Sequence, residues 1–335
     1  MSRKKLEGNK KKREDRMQKV TAVVVTYNRI ELLKECINSL QMQQSLVESA
    51  GDVQLDILIV DNASNDGTHE WIDGLTAEKE FHALHLSENT GGAGGFYSGM
   101  KWAVEHGADY VWIMDDDTIP EEDALVKLLD GMLEATTLQS ESGKRIGFVS
   151  SSVLWTDGSE CVMNRQHYVG DEILDNTEEL TRSVKSENIT LQPVDSATFV
   201  SLLFTREVIL ECGLPIKGYF IWGDDKEYTL RVSASYPCYH VKNSRVIHKM
   251  TNNAGSNIVI DDIKRVPRYF YAFRNDFCTA KRRGVKEVCI YFAAFTLNLM
   301  RVIFKSKDGK GLRIKTMWQG MRAGKRFAPE IEYVK

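Results

Sequence analysis

The residues best suited to chemistry are acidic, and the densest group follows an apolar run: Trp112-Ile113-Met114-Asp115-Asp116-Asp117. Three adjoining carboxylates repel one another and are costly without a cation. Asp115 and Asp117 can turn oxygens toward one point, and hard oxygen donors at that spacing suit Mg²⁺ or Mn²⁺ bridging to a diphosphate. The plainer reading is a solvated acidic turn before a helix expected over Pro120–Leu133. A second acid pair lies in Gly218-Tyr219-Phe220-Ile221-Trp222-Gly223-Asp224-Asp225-Lys226-Glu227, where a helix begins. A helix N-terminus favours ionised acids, and a carboxylate there can take a proton from a hydroxyl nucleophile. The competing role is N-capping by Asp224. Trp222 offers either a face for a sugar ring or core packing.

His248 closes Ser244-Arg245-Val246-Ile247-His248. A neutral imidazole is a good third ligand for a metal already held by two aspartates, although a lone histidine is more often structural. Asn89-Thr90-Gly91-Gly92-Ala93-Gly94-Gly95-Phe96 places glycines between strand and helix, where backbone amides can approach phosphates. It completes neither G-x-G-x-x-G nor a Walker A loop, so a flexible loop without direct contact is the alternative.

Elements must position these residues. Val20–Thr26, Leu55–Val60 and Tyr110–Met114 read as buried parallel strands, and Ala83–Leu86 as a further strand. Helical spacing marks Ile30–Leu40, Gly67–Leu75 and Gly94–Glu105. Alternating strands and helices predict a doubly wound, mostly parallel α/β sheet with ligands at the carboxyl ends of its strands. The clusters Thr26–Arg29, Asp61–Asp66 and Asp115–Asp117 each fall at such an end. Ile146–Trp155 and Ala197–Phe204 read as strands of a mixed sheet around a polar loop, followed by a helix over Asp225–Ser235 and a strand over Cys238–Val241. From Ile263 onward the pattern is helical. The predicted organisation is a basic disordered tail over 1–19, a catalytic α/β unit over 20–262 and a helical region over 263–335.

Composition sets the class. The 335 residues carry 44 Lys+Arg, 47 Asp+Glu and 42% hydrophobic residues, enough for a substantial core and unlike a disordered chain or a disulfide-stapled mini-domain. The net charge of -3 conceals a split: 281–335 holds 14 basic and 4 acidic residues, and 1–19 holds 9 and 3. The six cysteines form no CxxC and read as reduced thiols of a cytosolic protein. No apolar run reaches the ~18 residues of a spanning helix; Val288–Met300 is the nearest. Basic and apolar residues interleave after it, which suits an interfacial helix on an anionic leaflet, with an oligomer contact as the alternative. No nucleic-acid module accompanies the charge. A phosphotransferase with Asp115 as nucleophile is a minor alternative, because Thr118 stands one place too early for D-x-D-x-T.

Taken together, these motifs resemble the family 2 inverting glycosyltransferases of GT-A fold. Thr26-Tyr27-Asn28-Arg29 resembles their first nucleotide loop, Asp61-Asn62-Ala63-Ser64-Asn65-Asp66-Gly67-Thr68 their uracil-binding turn, and Asp115–Asp117 their DxD. Asn89–Phe96, Phe220–Tyr228 and Tyr269–Asn275 are similar to stretches of the bacterial galactofuranosyltransferases. The resemblance implies a divalent cation, Mn²⁺ or Mg²⁺, on Asp115, Asp117 and His248, with Asp225 as catalytic base and Trp222 and Asp224 near the acceptor. It implies a nucleotide-sugar site from Thr26, Tyr27, Asn28, Arg29, Asp61, Asn62, Asn89, Gly91, Gly92, Gly94, Gly95 and Asp116, with Asp61 reading uracil. The expected donor is UDP-galactofuranose and the expected acceptor a lipid-linked glycan at the inner face of the cytoplasmic membrane. The alternatives are a rhamnosyltransferase using dTDP-rhamnose and a non-catalytic scaffold. Galactan polymerases carry an extra N-terminal β-domain and a larger C-terminal region, so addition of one or a few sugars is expected.

Overall fold

The computed structural model describes residues 17–76, 81–140, 142–169, 184–185 and 190–335. The basic tail predicted over 1–19 falls mostly outside these residues, although Gln18 and Lys19 already belong to the first strand.

Four parallel strands form the first half of the sheet: β1 (Gln18–Thr26), β2 (Val53–Asp61), β3 (Phe81–His85) and β4 (Tyr110–Asp115). The apolar runs of β1, β2 and β4 are buried on both faces, which is why they read as continuous rather than alternating segments, whereas β3 is mostly half-buried. The sheet continues through β10 (Leu202–Thr205), β6 (Phe148–Leu154), β11 (Cys238–His248), β9 (Thr190–Ser196) and β7 (His167–Tyr168), in the order β3-β2-β1-β4-β10-β6-β11-β9-β7. The short β5 (Thr118–Pro120) pairs with β11, and β8 (Val184–Lys185) with β9. β10 runs antiparallel to both neighbours, so the sheet is mixed beyond β4.

Helices α1 (Ile30–Ala50) and α4 (Ala124–Leu138) bury Leu33, Ile37, Leu40, Leu125, Leu128 and Met132 in one core cluster. α3 (Gly91–Glu105) and α5 (Arg206–Cys212) contribute Phe96, Met100, Val208 and Ile209 to a second. The helix expected from Pro120 begins four residues later. Pro120 instead ends β5, an edge position where its missing N–H costs no ladder bond. The strand expected over Cys238–Val241 continues to His248, past an irregularity between Val241 and Arg245. α2 (Thr68–Leu75) and α6 (Asp224–Ser233) lie within a residue or two of their predicted starts.

The C-terminal region is helical: α7 (Tyr269–Arg283), α8 (Val285–Lys305) and α9 (Lys310–Arg326). Gly320 and Gly324, four residues apart, let α9 lie directly on α7. A Cβ there would meet Phe270 O at 2.6 Å and Arg274 O at 2.8 Å. Val288–Met300 proves to be part of a 21-residue helix with an 18-residue stretch of mean hydropathy 1.5, long and apolar enough by length and composition to cross a membrane. The charges at Lys286, Glu287 and Arg301 interrupt the apolar run but not the helix.

Candidate active site

Parallel pairing places the ends of β1, β2 and β4 side by side, with Val25 opposite Asp115 and Thr26 opposite Asp61. The chain then doubles back: β5 pairs antiparallel with the end of β11, setting Thr118 opposite His248. That pairing brings His248 Nε2 to 2.9 Å from Asp117 Oδ1 across 131 residues of sequence. Asp115, Asp117 and His248 each offer a donor atom within 4.8 Å of the others. The acidic triplet is therefore no solvated turn: Asp116 and Asp117 are buried and Asp115 is half-buried.

Electrostatics mark the same place. Burial, reinforced by Asp117, pushes the Asp115 carboxyl up to about 7, and burial pushes Asp116 up to about 6. Asp117 is held below its ordinary range despite burial, because His248 bonds to it. His248 rises to about 10 despite its own burial, for the same reason. His248 thus holds a proton toward the ionised Asp117, in a place that a cation could take. Two carboxylates and one imidazole are a fitting donor set for a hard to borderline divalent ion. Arg29 Nη1 reaches Asp117 Oδ2 at 2.8 Å and Asp116 Oδ1 at 3.2 Å, and Thr26 Oγ1 donates to Asp116 Oδ2 at 2.8 Å.

Asn164, absent from the sequence expectation, faces His248 Nδ1 with its side-chain oxygen at 2.9 Å. A proton on Nδ1 leaves Nε2 free to face a metal. Its signal lies in no motif, because 84 residues separate the pair.

The two nucleotide loops are tied to each other. Asn28 N–H donates to Ser64 Oγ at 2.9 Å, and Asn65 N–H to Asn28 Oδ1 at 2.7 Å. Asn28 and Ala63 hold φ of 54° and 65°, left-handed values that concentrate at functional loops. Tyr27 is exposed. Asp61 is fully buried, and its carboxyl is lowered, despite that burial, by hydrogen bonds from Ser64 and His85. Asn62 binds the glycine segment, accepting from Thr90 N–H and donating to Gly91 O, both at 2.9 Å.

That glycine segment is the first turn of α3 rather than a loop. Asn89 Oδ1 accepts from Gly91 N–H at 2.8 Å. A Cβ on Gly91 would lie 1.9 Å from Phe220 O, one on Gly94 2.2 Å from Thr90 Oγ1, and one on Gly95 2.4 Å from Val25 Cγ1. These three glycines serve close packing, and Gly92 faces open space.

The second acid pair opens α6. Phe220 and Trp222 hold φ of 67° and 64°, and Gly223 at 86° turns the chain into the helix. The Asn275 amide on α7 donates to the carbonyls of Tyr219, Ile221 and Trp222 at 2.7–3.1 Å, which fixes this strained turn. Asp224 is buried, and burial together with Asp225 raises its carboxyl well above the ordinary range, with a further contribution from Asp115. The two acid sites therefore feel one another. Asp225 is half-buried and likewise raised by burial. It opens onto a cleft of about 280 Å³, also lined by Arg165, Thr198, Gly223, Lys226 and Asp276. The sequence expectation missed Arg165, Thr198 and Asp276, which stand on separate segments. Trp222 packs on Tyr269 with centroids 5.0 Å apart.

Residues 21–170 match the model of glycosyl transferase family 2. The undecaprenyl-phosphate mannosyltransferase of Micrococcus luteus is 34% identical over 118 residues, covering 35% of this chain and 45% of that protein. Galactofuranosyltransferase GlfT1 of Mycolicibacterium smegmatis is 28% identical over 218 residues, covering 64% of this chain and 66% of that protein. The match thus takes in less than half of the first relative's length and about two thirds of the second's. The structure of GalNAc-T7 with UDP, GalNAc and Mn²⁺ superposes with a TM-score of 0.61 at 14% identity, covering 92% of this chain and 56% of that one. With strand-end carboxylates in the arrangement described, these matches show a GT-A fold whose residues 21–170 are similar to glycosyl transferase family 2, extended by C-terminal helices.

Proposed function

We propose that the chain is a metal-dependent inverting glycosyltransferase that moves galactofuranose from UDP-galactofuranose to a hydroxyl of a lipid-linked bacterial glycan. The observation that carries this reading is the convergence of Asp115, Asp117 and His248 with the Asp224–Asp225 pair at one end of the sheet. Likeness over 218 residues to a galactofuranosyltransferase favours that donor, and the mannosyltransferase match keeps other nucleotide sugars in play.

A cation held by Asp115, Asp117 and His248 would supply positive charge against the departing diphosphate, as Mn²⁺ accompanies UDP in GalNAc-T7. The chain's own residues do the rest. Arg29 adds positive charge beside the acids, and Thr26 orients Asp116. The two tied loops hold the nucleoside, with Asp61 toward the base. Asp225 takes the proton of the acceptor hydroxyl as that oxygen bonds to the anomeric carbon and the bond to the diphosphate breaks on the opposite face. A carboxyl raised by its surroundings is a better base than an ordinary aspartate. Asp224 and Trp222 border the acceptor side.

The C-terminal helices serve as a surface anchor in this reading. α8 buries Tyr291, Phe295 and Val302 against its neighbours and exposes Ile290, Phe292, Leu297 (51%), Met300 and Phe304 (72%). Arg322, Lys325 and Arg326 line a cleft of about 340 Å³ on α9. Exposed apolar side chains beside clustered cations fit an anionic leaflet, and the acceptor is there. The test is a panel of UDP-galactofuranose, dTDP-rhamnose and GDP-mannose with Mn²⁺ and a lipid-linked acceptor. Transfer from UDP-galactofuranose alone supports the reading. Transfer from another donor replaces the sugar, and no transfer or donor hydrolysis with any of them overturns the enzyme.

A further inference from the structure

One buried amide stands between the two halves of the site. Asn164 ends a single 3₁₀ turn, Val162–Asn164, that follows β6. Its Oδ1 accepts from the Cys161 thiol at 2.9 Å and stands 2.9 Å from His248 Nδ1. Its Nδ2 donates to Thr198 Oγ1, also at 2.9 Å. These neighbours fix which way the amide points: turned over, it would set its N–H groups against the thiol proton and the Nδ1–H.

Thr198 belongs to the other half. With Ser196 and Ala197 it lines the cleft onto which Asp225 opens, and it is half-buried there. The residue before it ties this segment to the helix of the base: Thr229 Oγ1 on α6 accepts from Ala197 N–H at 3.4 Å and donates to Asp225 O at 2.7 Å. A hydroxyl can accept and donate at once. The Asn164 N–H takes an acceptor position of Thr198 Oγ1, and among the described residues the Thr198 O–H has no acceptor of its own. That proton is free to point into the cleft.

We propose that Asn164 is a positioning residue for both halves: its oxygen holds the His248 ring with Nε2 facing Asp117, and its N–H turns the Thr198 hydroxyl to donate to an oxygen of the acceptor glycan. This role rests on the transferase reading above and adds Thr198 to its acceptor side.

Variants of the full chain separate the halves. Asn164→Ala removes both contacts, whereas Asn164→Asp keeps an oxygen for Nδ1–H but draws the Thr198 proton to itself. Binding of Mn²⁺ in the presence of UDP, read without turnover from the resonance of free Mn²⁺, is expected to weaken about 10–100-fold in Asn164→Ala and to stay within about threefold of wild type in Asn164→Asp. Rescue by a buried carboxylate is a result that a merely structural amide does not give. In transfer from UDP-galactofuranose to the lipid-linked acceptor, Asn164→Asp and Thr198→Val are each expected to raise acceptor KM about 3–10-fold, the loss of one hydrogen bond, with Mn²⁺ affinity kept. Equal Mn²⁺ affinity in wild type and Asn164→Ala overturns the hold on His248, and an unchanged acceptor KM in Asn164→Asp and Thr198→Val overturns the acceptor role. Should Asn164→Ala fail to fold, Asn164→Leu takes its place. His248→Ala is the control: if it too leaves Mn²⁺ binding unchanged, the cation site of the transferase reading falls and this role with it. If it abolishes binding while Asn164→Ala does not weaken it, only this role falls. A wild type that transfers no sugar removes the acceptor role together with the transferase reading.

Discussion

Two regions of this molecule invert the usual rule of burial, in opposite senses. At the carboxyl ends of β1, β4 and β11 and the start of α6, ionisable side chains are inside: Asp116, Asp117, Asp224 and His248 are all buried. On α8, apolar side chains are outside, with Leu297, Met300 and Phe304 facing solvent. Buried acids and exposed apolar patches are the informative departures from ordinary packing. Each region is incomplete in a different currency. The first holds more acid than Arg29 and His248 can balance, an excess that a cation would meet, and the second lacks a cover, which a lipid surface would supply.

The comparison breaks most visibly at the acids. Asp117→Ala is expected to lower turnover by about 10⁴-fold, several kcal/mol of charge stabilisation, and to abolish its dependence on Mn²⁺. Calorimetry of UDP with and without Mn²⁺ checks the second part. Asp225→Asn is expected to cost about 10³-fold while leaving UDP binding intact, within the usual range for a general base. In the wild type, turnover should rise with pH through a value above the ordinary aspartate range, since burial raises Asp225 and only its ionised form accepts a proton. A profile with its limb at an ordinary aspartate value counts against this role.

His240 sharpens the contrast, because here the chain satisfies a buried polar group by itself. Ser152 Oγ and Tyr168 OH each stand 2.9 Å from its ring nitrogens, and burial lowers its pKa to about 4. The folded state therefore keeps it neutral while the unfolded chain protonates near 6.5. Its contribution is fully present above pH 6.5 and is lost as pH falls toward 4, by about 3 kcal/mol at most. Denaturant melts of wild type and His240→Gln across that window should converge as pH falls.

The smallest effect is expected at the exposed face. Leu297→Glu or Phe304→Glu should weaken binding to vesicles with anionic lipid about tenfold, with folding and soluble-substrate turnover unchanged. Equal partition of wild type and variants in a sedimentation assay argues against a lipid cover.

Much of the first half was legible because its strands are buried on both faces, and runs such as Val20–Thr26 announce this directly. The acid site was legible only in part. Asp115 and Asp117 sit in one motif, but the link to His248 depends on β5, a three-residue strand that reads locally as a helix start because of Pro120. β11 was cut short at Val241 because Lys242, Asn243, Ser244 and Arg245 carry no strand pattern, and the ladder with β6 shifts there. The glycines of α3 were legible as special, but their packing on Phe220 and Val25 was not, since those contacts are tertiary. Asn164 and Asp276 could not be found from local pattern at all.

The amide of Asn275 has a consequence for timing. It shapes the turn that carries the base, yet it follows that turn by more than fifty residues. A ribosome making this chain therefore releases the whole Asp115–Asp117–His248 set before the residue that moulds the base's turn. On the proposed reading, a nascent chain whose His248 has cleared the ribosome while Asn275 is still inside the exit tunnel is expected to capture donor without transferring it. On that reading the order of synthesis would separate holding the sugar from spending it, and competence would arrive together with the helices that bring the acceptor within reach.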